Sequence, residues 1–254
     1  LATTSKNIKT NNPLKKIQKK PYFIILFGLF LNIFSIHSQN NSEAATYNWL
    51  DRNLGVESLD FRNGPAHFNF DRTVDNQNRY YISNDFRNGS ITYNNQNYYD
   101  LYLKYDIYAD ELILRPYTDS NNMQINLIKD NVGSFKLGNQ KFVNLKNLSS
   151  TFKGGYYDET LNGDKSILYI KYFKEKNNTL KDNVFLIEYR LKYEFLLLKE
   201  NTFTLINDKK EIIKLYPDKK RKINDFYFMN RDLKKDDPGL FMKNLMKYIN
   251  NINL

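Results

Sequence analysis

Three carboxylates crowd one short stretch of this chain, Asp106, Asp110 and Glu111. Two carboxyl groups flanking a glycosidic bond, one acting as general acid and the other as base or nucleophile, are the minimum equipment of a glycan hydrolase. The tyrosines interleaved with them would suit a saccharide. The same residues also have a plain reading: Asp100, Lys104 and Asp106 share the polar parity of a predicted strand, and Asp110 with Glu111 falls where the chain should turn back. His67 is the one histidine left beyond the first 38 residues, and imidazole is the usual acid, base or metal ligand near neutral pH. No Gly-x-Ser-x-Gly elbow accompanies it. Pro65 and Ala66 before it read as a loop entering a strand, which makes a strand-entry histidine the alternative.

Other chemistries are excluded by missing residues. Without cysteine there is no disulfide framework, thiolate zinc site, iron–sulfur cluster or cysteine nucleophile. Gly154 and Gly155 lack the spacing of a phosphate loop, and the stretch around Asp119 and Asn121 lacks the glycine and distant glutamate of a calcium loop. The expectation is therefore no cofactor and no metal, and no enzyme unless the carboxylates supply one. Binding chemistry has two candidates. The run Lys219, Lys220, Arg221, Lys222 could touch anionic head groups or an acidic polysaccharide, or be the wet side of a helix packed through Ile223, Phe226 and Tyr227. The pairs Tyr98 with Tyr99 and Tyr156 with Tyr157 could stack on sugars, or fill strand faces, where tyrosine is favoured.

The elements that must position these residues follow from hydrophobic period. Phe185, Ile187, Tyr189, Leu191, Tyr193, Phe195 and Leu197 alternate with Glu188, Arg190, Lys192 and Glu194, which predicts a long antiparallel strand with one buried and one wet face. Tyr99, Leu101, Leu103, Tyr105 and Ile107 alternate in the same way, as do Met123, Ile125 and Leu127. Shorter strands are expected at 91–93, 112–115, 134–137, 141–145, 167–173 and 202–206. Turn residues separate them at Asn94 and Asn95, Asp119 to Asn122, Gly138 and Asn139, Asn162 to Asp164, and Glu200 with Asn201. Links that short join antiparallel neighbours, so the predicted fold is mainly β, an antiparallel meander of residues 60–206 forming a curled sheet or partial barrel. From 208 to 252 the period becomes helical. Asp208 to Glu211 fits a capping box, with Ile212, Ile213, Leu215 and Tyr216 as the buried side, and Pro217 stops that helix. Asp237 and Pro238 open a last amphipathic helix carrying Phe241, Leu245, Tyr248, Ile249 and Ile252. These helices are expected to cover the sheet.

The net charge of +10 is uneven. Lys6, Lys9, Lys15, Lys16, Lys19 and Lys20 precede any acidic residue, an apolar run from Tyr22 to Phe34 follows, and Ser38 offers a small residue at a cut. That order reads as a secretory signal peptide with an upstream extension, residues 1–38, cleaved after Ser38. An uncleaved anchor is the alternative, although a membrane-crossing helix needs about 20 apolar residues. Without residues 1–38 there remain 32 basic against 28 acidic residues, or +4, with residues 39–200 near neutrality. Nucleic acid is then a poor partner, because no large basic surface is left to neutralise phosphates. Residues 39–59 read as a linker and 60–254 as a single domain.

Four stretches, YYDLYLKYDIYADELIL (98–114), FKLGNQKFVNL (135–145), GGYYDETLNGDKSILYIKYF (154–173) and KKEIIKLYPDKKRKINDF (209–226), resemble a group of uncharacterised exported proteins of Bacteroidota. The likeness spans nearly all of the chain after the leader and carries no catalytic motif. It implies residence in the periplasm or cell envelope and no known activity. The leading functional expectation is a non-enzymatic interaction or accessory module with an envelope protein as partner, free of any permanent membrane span after cleavage. A carrier holding an apolar ligand inside the curled sheet and the carboxylate-based hydrolase are the alternatives.

Overall fold

The computed structural model describes residues 38–54, 63–75, 77–116, 123–146, 152–161 and 166–251. The leader up to residue 37, the turns at Asp119 to Asn122 and Asn162 to Asp164, and Ile252 lie outside them. Contacts divide the chain into residues 1–45 and 46–254, and apart from the first residues of one helix everything below concerns the second unit. Helix α1 (Ser38–Leu54) occupies part of the stretch expected as a linker.

Ten antiparallel strands form one sheet: β1 (Arg87–Tyr93), β2 (Gln96–Asp106), β3 (Glu111–Arg115), β4 (Ile125–Asn126), β5 (Val132–Leu137), β6 (Gln140–Leu145), β7 (Gly155–Leu161), β8 (Ser166–Lys181), β9 (Val184–Lys199) and β10 (Thr202–Leu205). Their order is β10-β9-β8-β7-β6-β5-β1-β2-β3-β4, so the sheet is open, with β10 and β4 at its edges. It consists of two meanders, β1 to β4 and β5 to β10, joined through the β1–β5 pair. Tight turns set the hairpins. Asn94–Asn95, Asp182–Asn183 and Glu200–Asn201 all have positive φ at both residues, the conformation that matches the strand twist and that Asn and Asp tolerate.

Helices α2 (Lys209–Leu215), α3 (Lys220–Met229), α4 (Arg231–Asp236) and α5 (Pro238–Asn251) follow. Their apolar stripe, Ile212, Ile223, Phe226, Phe241, Leu245 and Ile249, joins a single core with residues from both meanders. The middle of that core is aromatic, with Tyr105, Phe135, Phe142 and Tyr156 at ring separations between 4.9 and 5.6 Å. Fully burying one such side chain is worth about 1.5–3 kcal/mol, so the helices and the inner face of the sheet stabilise one another. A smaller cluster, Phe152, Tyr157, Tyr169 and Leu196, covers the opposite face of the β6–β10 end.

Several expectations are corrected in detail. Residues 63–75 and 77–86 form no named strand and make only isolated bridges, Ala66 to Ile125, Thr73 to Ile187 and Tyr80 to Asp106. They act as a strap that buries part of the sheet's outer face, and Lys104 and Asp106, expected in solvent, are consequently 5% and 0% exposed. A bulge at Asp100, whose φ is +55°, shifts the register of β2, so that Tyr98 rather than Tyr99 joins Leu101 in the core. In β9 the alternation marks the strand correctly, but burial fails in its first half, where Phe185 is 78% and Leu191 44% exposed, and both faces are buried around Phe195, Leu196 and Leu197. The β8–β9 hairpin is longer than the core beneath it. Strand β7 and helix α4 had no sequence expectation. Asp208 precedes α2 but makes no side-chain cap bond, and Glu211 pairs with Lys214 instead. Asp237 does cap α5, accepting from the Leu240 amide at 2.9 Å.

Candidate functional site

The three carboxylates are committed to separate structural networks. Asp106 Oδ1 accepts the Tyr108 and Ala109 amides at 3.0 Å, closing the β2–β3 turn, while Oδ2 lies 2.6 Å from Arg79 Nε of the strap. Asp110 Oδ2 takes Lys129 at 2.7 Å and Lys171 at 2.9 Å, and Oδ1 takes the Tyr105 hydroxyl at 2.6 Å. Burial pushes the Asp110 carboxyl up, but these partners outweigh it and hold the group below its ordinary range. The fit is close. Gly155 adopts a φ of +137°, and a Cβ there would lie 1.9 Å from Asp110 Oδ2 and 2.4 Å from Lys171 Nζ. Glu111 accepts from Asn126 at 2.8 Å and is pushed up by burial and then by Asp106 opposite it on the paired strand. None of the three lines the cavities formed by the described residues at the β9 groove, the His67 notch or the β1–β5 seam.

The other candidates are also dispersed. His67 lies beside the Tyr80 hydroxyl at 3.1 Å in an open polar notch, and burial lowers its pKa. Lys219 donates to the Ile249 carbonyl near the end of α5 at 2.7 Å. Lys220, Arg221 and Lys222 are exposed, while Ile223 and Phe226 of the same helix are buried. Tyr156 and Tyr157 are both fully buried and belong to different clusters, which leaves no platform there. Among the described residues no group of three or more His, Asp or Glu could hold a metal ion, and no helix is long and apolar enough to cross a membrane.

One feature combines shape with unused bonding capacity. A groove of about 470 Å³ lies between the strap, the inner face of β8–β9 and the start of α5. Tyr81, Tyr172, Tyr193, Leu191 and Leu240 line it, with Lys174, Asp237 and Lys243, the last paired with Asp158, as charged members. Tyr172 stands edge-on to Tyr193, with ring centroids 5.6 Å apart, and Tyr81 meets Tyr172 at 4.9 Å. Lys174 donates to the Asn78 carbonyl, and burial lowers its pKa.

The groove reaches the free edge of β9. Because Asp182–Asn183 is a two-residue turn, Lys181 and Val184 form a hydrogen-bonded pair. Even-numbered residues of β9 therefore bond to β8, and odd-numbered ones turn their amide and carbonyl outward. The observed edge bonds obey this parity. Ile187 donates to the Arg72 carbonyl at 2.8 Å and accepts from Val74 at 3.0 Å. The Tyr189 amide donates to Gln77 Oε1 at 2.7 Å, and the Phe195 amide to Asn207 Oδ1 at 2.8 Å. Strand β10 begins pairing only at Leu196. In the gap between, the backbone groups of Leu191 and Tyr193 have no partner among the described residues. Alternation alone places Leu191 and Tyr193 on an apolar face, but nothing in the sequence marks the edge beside them as unpaired, since that depends on where β10 and the strap stop.

No family model matches this chain, and none of the curated proteins and none of the solved structures matches it either.

Proposed function

We propose that this protein is a non-enzymatic interaction module that seats an extended polypeptide segment against the free edge of β9. The setting we propose is the periplasm or cell envelope, on the strength of the basic-then-apolar order of residues 1–38. The observation that carries the reading is the run of outward-facing backbone groups at Leu191 and Tyr193 beside an aromatic groove. An added strand gains affinity from main-chain bonds at such an edge, and the neighbouring pocket selects alternate side chains. Lys174, whose hydrogen-bond acceptors are both neutral atoms of Asn78, favours a carboxylate in the incoming segment. The aromatic filling of the inner face argues for recognition at this rim over carriage of an apolar ligand inside the sheet.

The test uses Leu191→Pro. The Leu191 amide points away from β8, so proline there removes an edge donor without breaking the ladder, a placement that edge strands tolerate. Selection from a displayed peptide library on the full chain is expected to enrich segments with alternating apolar residues and an acidic one, and these should lose at least about tenfold in affinity for the variant. Failure to enrich any segment, or equal binding to both proteins, defeats the reading.

A further inference from the structure

The notch that holds His67 is a separate cavity of about 500 Å³ on the outer face of the sheet, lined also by Asn84, Asp85, Lys104, Arg115 and Gln124. Its defining residue is Lys104, which is 5% exposed yet has no carboxylate within ion-pair distance among the described residues. Among the described residues its ammonium donates to two neutral oxygens, Asn84 Oδ1 at 3.0 Å and Gln124 Oε1 at 3.2 Å. The rings of Tyr80 and Phe86 close around it at 4.3 and 4.5 Å. Neutral acceptors and ring faces orient a buried cation, and the carboxylates of Asp106 and Asp85 act on it through space without forming an ion pair. Asp106, two residues along the same strand, is already engaged by Arg79.

A second cation without an ion pair among the described residues stands beside it. The Arg115 guanidinium lies 5.0 Å from the Phe86 ring centroid and 4.9 Å from that of Tyr102, and it too makes no ion pair among the described residues. Strand pairing explains the placement: Arg115 faces Tyr102, and Ile113 faces Lys104, so the two cations are offset by one same-face position across β2 and β3. Asp85, exposed at the rim, is the one acidic lining residue, which leaves the notch with a net positive charge. The rest of the wall is built from amides, the His67 imidazole and the rings of Tyr80 and Phe86.

We infer that this notch binds a small hydroxylated oxyanion, a monosaccharide that carries a carboxylate or a phosphate. The charged group would sit between Lys104 and Arg115, where a buried ammonium and a planar guanidinium give charge-assisted bonds. The hydroxyls would face Asn69, Asn84, Gln124 and Asp85, groups that can both donate and accept, with Asp85 accepting only. The volume falls in the range of small-molecule sites. The site shares Tyr80 with the β9 groove but none of the unpaired backbone groups, so it stands or fails independently of the peptide-binding reading.

Isothermal titration of the full chain with glucuronate, glucose 6-phosphate, glucose and inorganic phosphate tests this. Binding of one or both sugar anions, with no binding of glucose and much weaker binding of inorganic phosphate, is the expected result; which anion binds tells carboxylate from phosphate. Lys104→Met and Arg115→Gln should each weaken that binding at least about tenfold. Arg115 is partly exposed at a short strand, so its variant reports on the site even if Lys104→Met unfolds, which the ligand-free thermal midpoint reveals. A Lys220→Gln, Arg221→Gln, Lys222→Gln variant should bind as the parent does. No binding of either sugar anion, equal binding of inorganic phosphate, unchanged binding by Arg115→Gln, or loss in the triple variant would each overturn the assignment.

Discussion

Asp110, singled out by its carboxyl chemistry, is tied into the architecture by two ion pairs and a tyrosine hydroxyl. It sits in the β2–β3 turn, yet its partners come from β8 and from the turn before β5, elements far along the strand order. Its side chain is 16% exposed and that of Lys171 6%, so Asp110→Asn leaves a buried ammonium with one charge partner fewer. Removing one member of such a pair costs about 3–5 kcal/mol, which urea unfolding at pH 7 should register. The sign with pH follows from the lowered folded pKa of Asp110: its contribution is full above the unfolded value of about 3.9 and disappears as pH falls through the lower folded value. The gap between parent and Asp110→Asn should therefore close on acidification, and a gap that persists unchanged to pH 2 would refute this account. The sequence put Asp106, Asp110 and Glu111 in one cluster because they are close along the chain. It could not reveal that Arg79, Lys171 and Asn126 claim them one by one, since those partners lie 15 to 61 residues away.

Among the elements, the β8–β9 hairpin depends on its two-residue tip. Asp182 and Asn183 have φ of +52° and +60°, and a β-branched side chain in that region costs about 1–2 kcal/mol. Asn183→Val should accelerate amide exchange in residues 176–189 while leaving Leu168 and Leu197 protected; uniform acceleration throughout the sheet would contradict a locally closed hairpin. This hairpin also marks what could be read in advance. The period of two in Phe185 to Leu197 identified a strand, and Asp237 with Pro238 identified the start of α5, because both signals are local. The bulge at Asp100, the strand β7 and the burial of Lys104 under the strap were not legible. The first two lie between strands adjacent in sequence but interrupt or lack a clean alternation, while the third depends on the strap, and polar parity on one strand says nothing about a second layer laid across it.

For the whole molecule, the inner face of the sheet and helices α2 to α5 make one core. Ending the chain after Asn207 would strip Ile212, Ile223, Phe226, Phe241, Leu245 and Ile249 from it. The truncated protein is expected to lose its cooperative thermal transition and to elute as aggregate in size exclusion, whereas a monomer with a sharp transition would show that the strands stand without their helices. The exposed rim of β9 raises the opposite concern, since an unpaired edge invites other chains. Here the side-chain amides of Gln77 and Asn207 act as bookends on either side of Leu191 and Tyr193. The opening they leave is only a couple of rungs long, shorter than the segments of about six or seven residues that zip copies of a chain into a fibril.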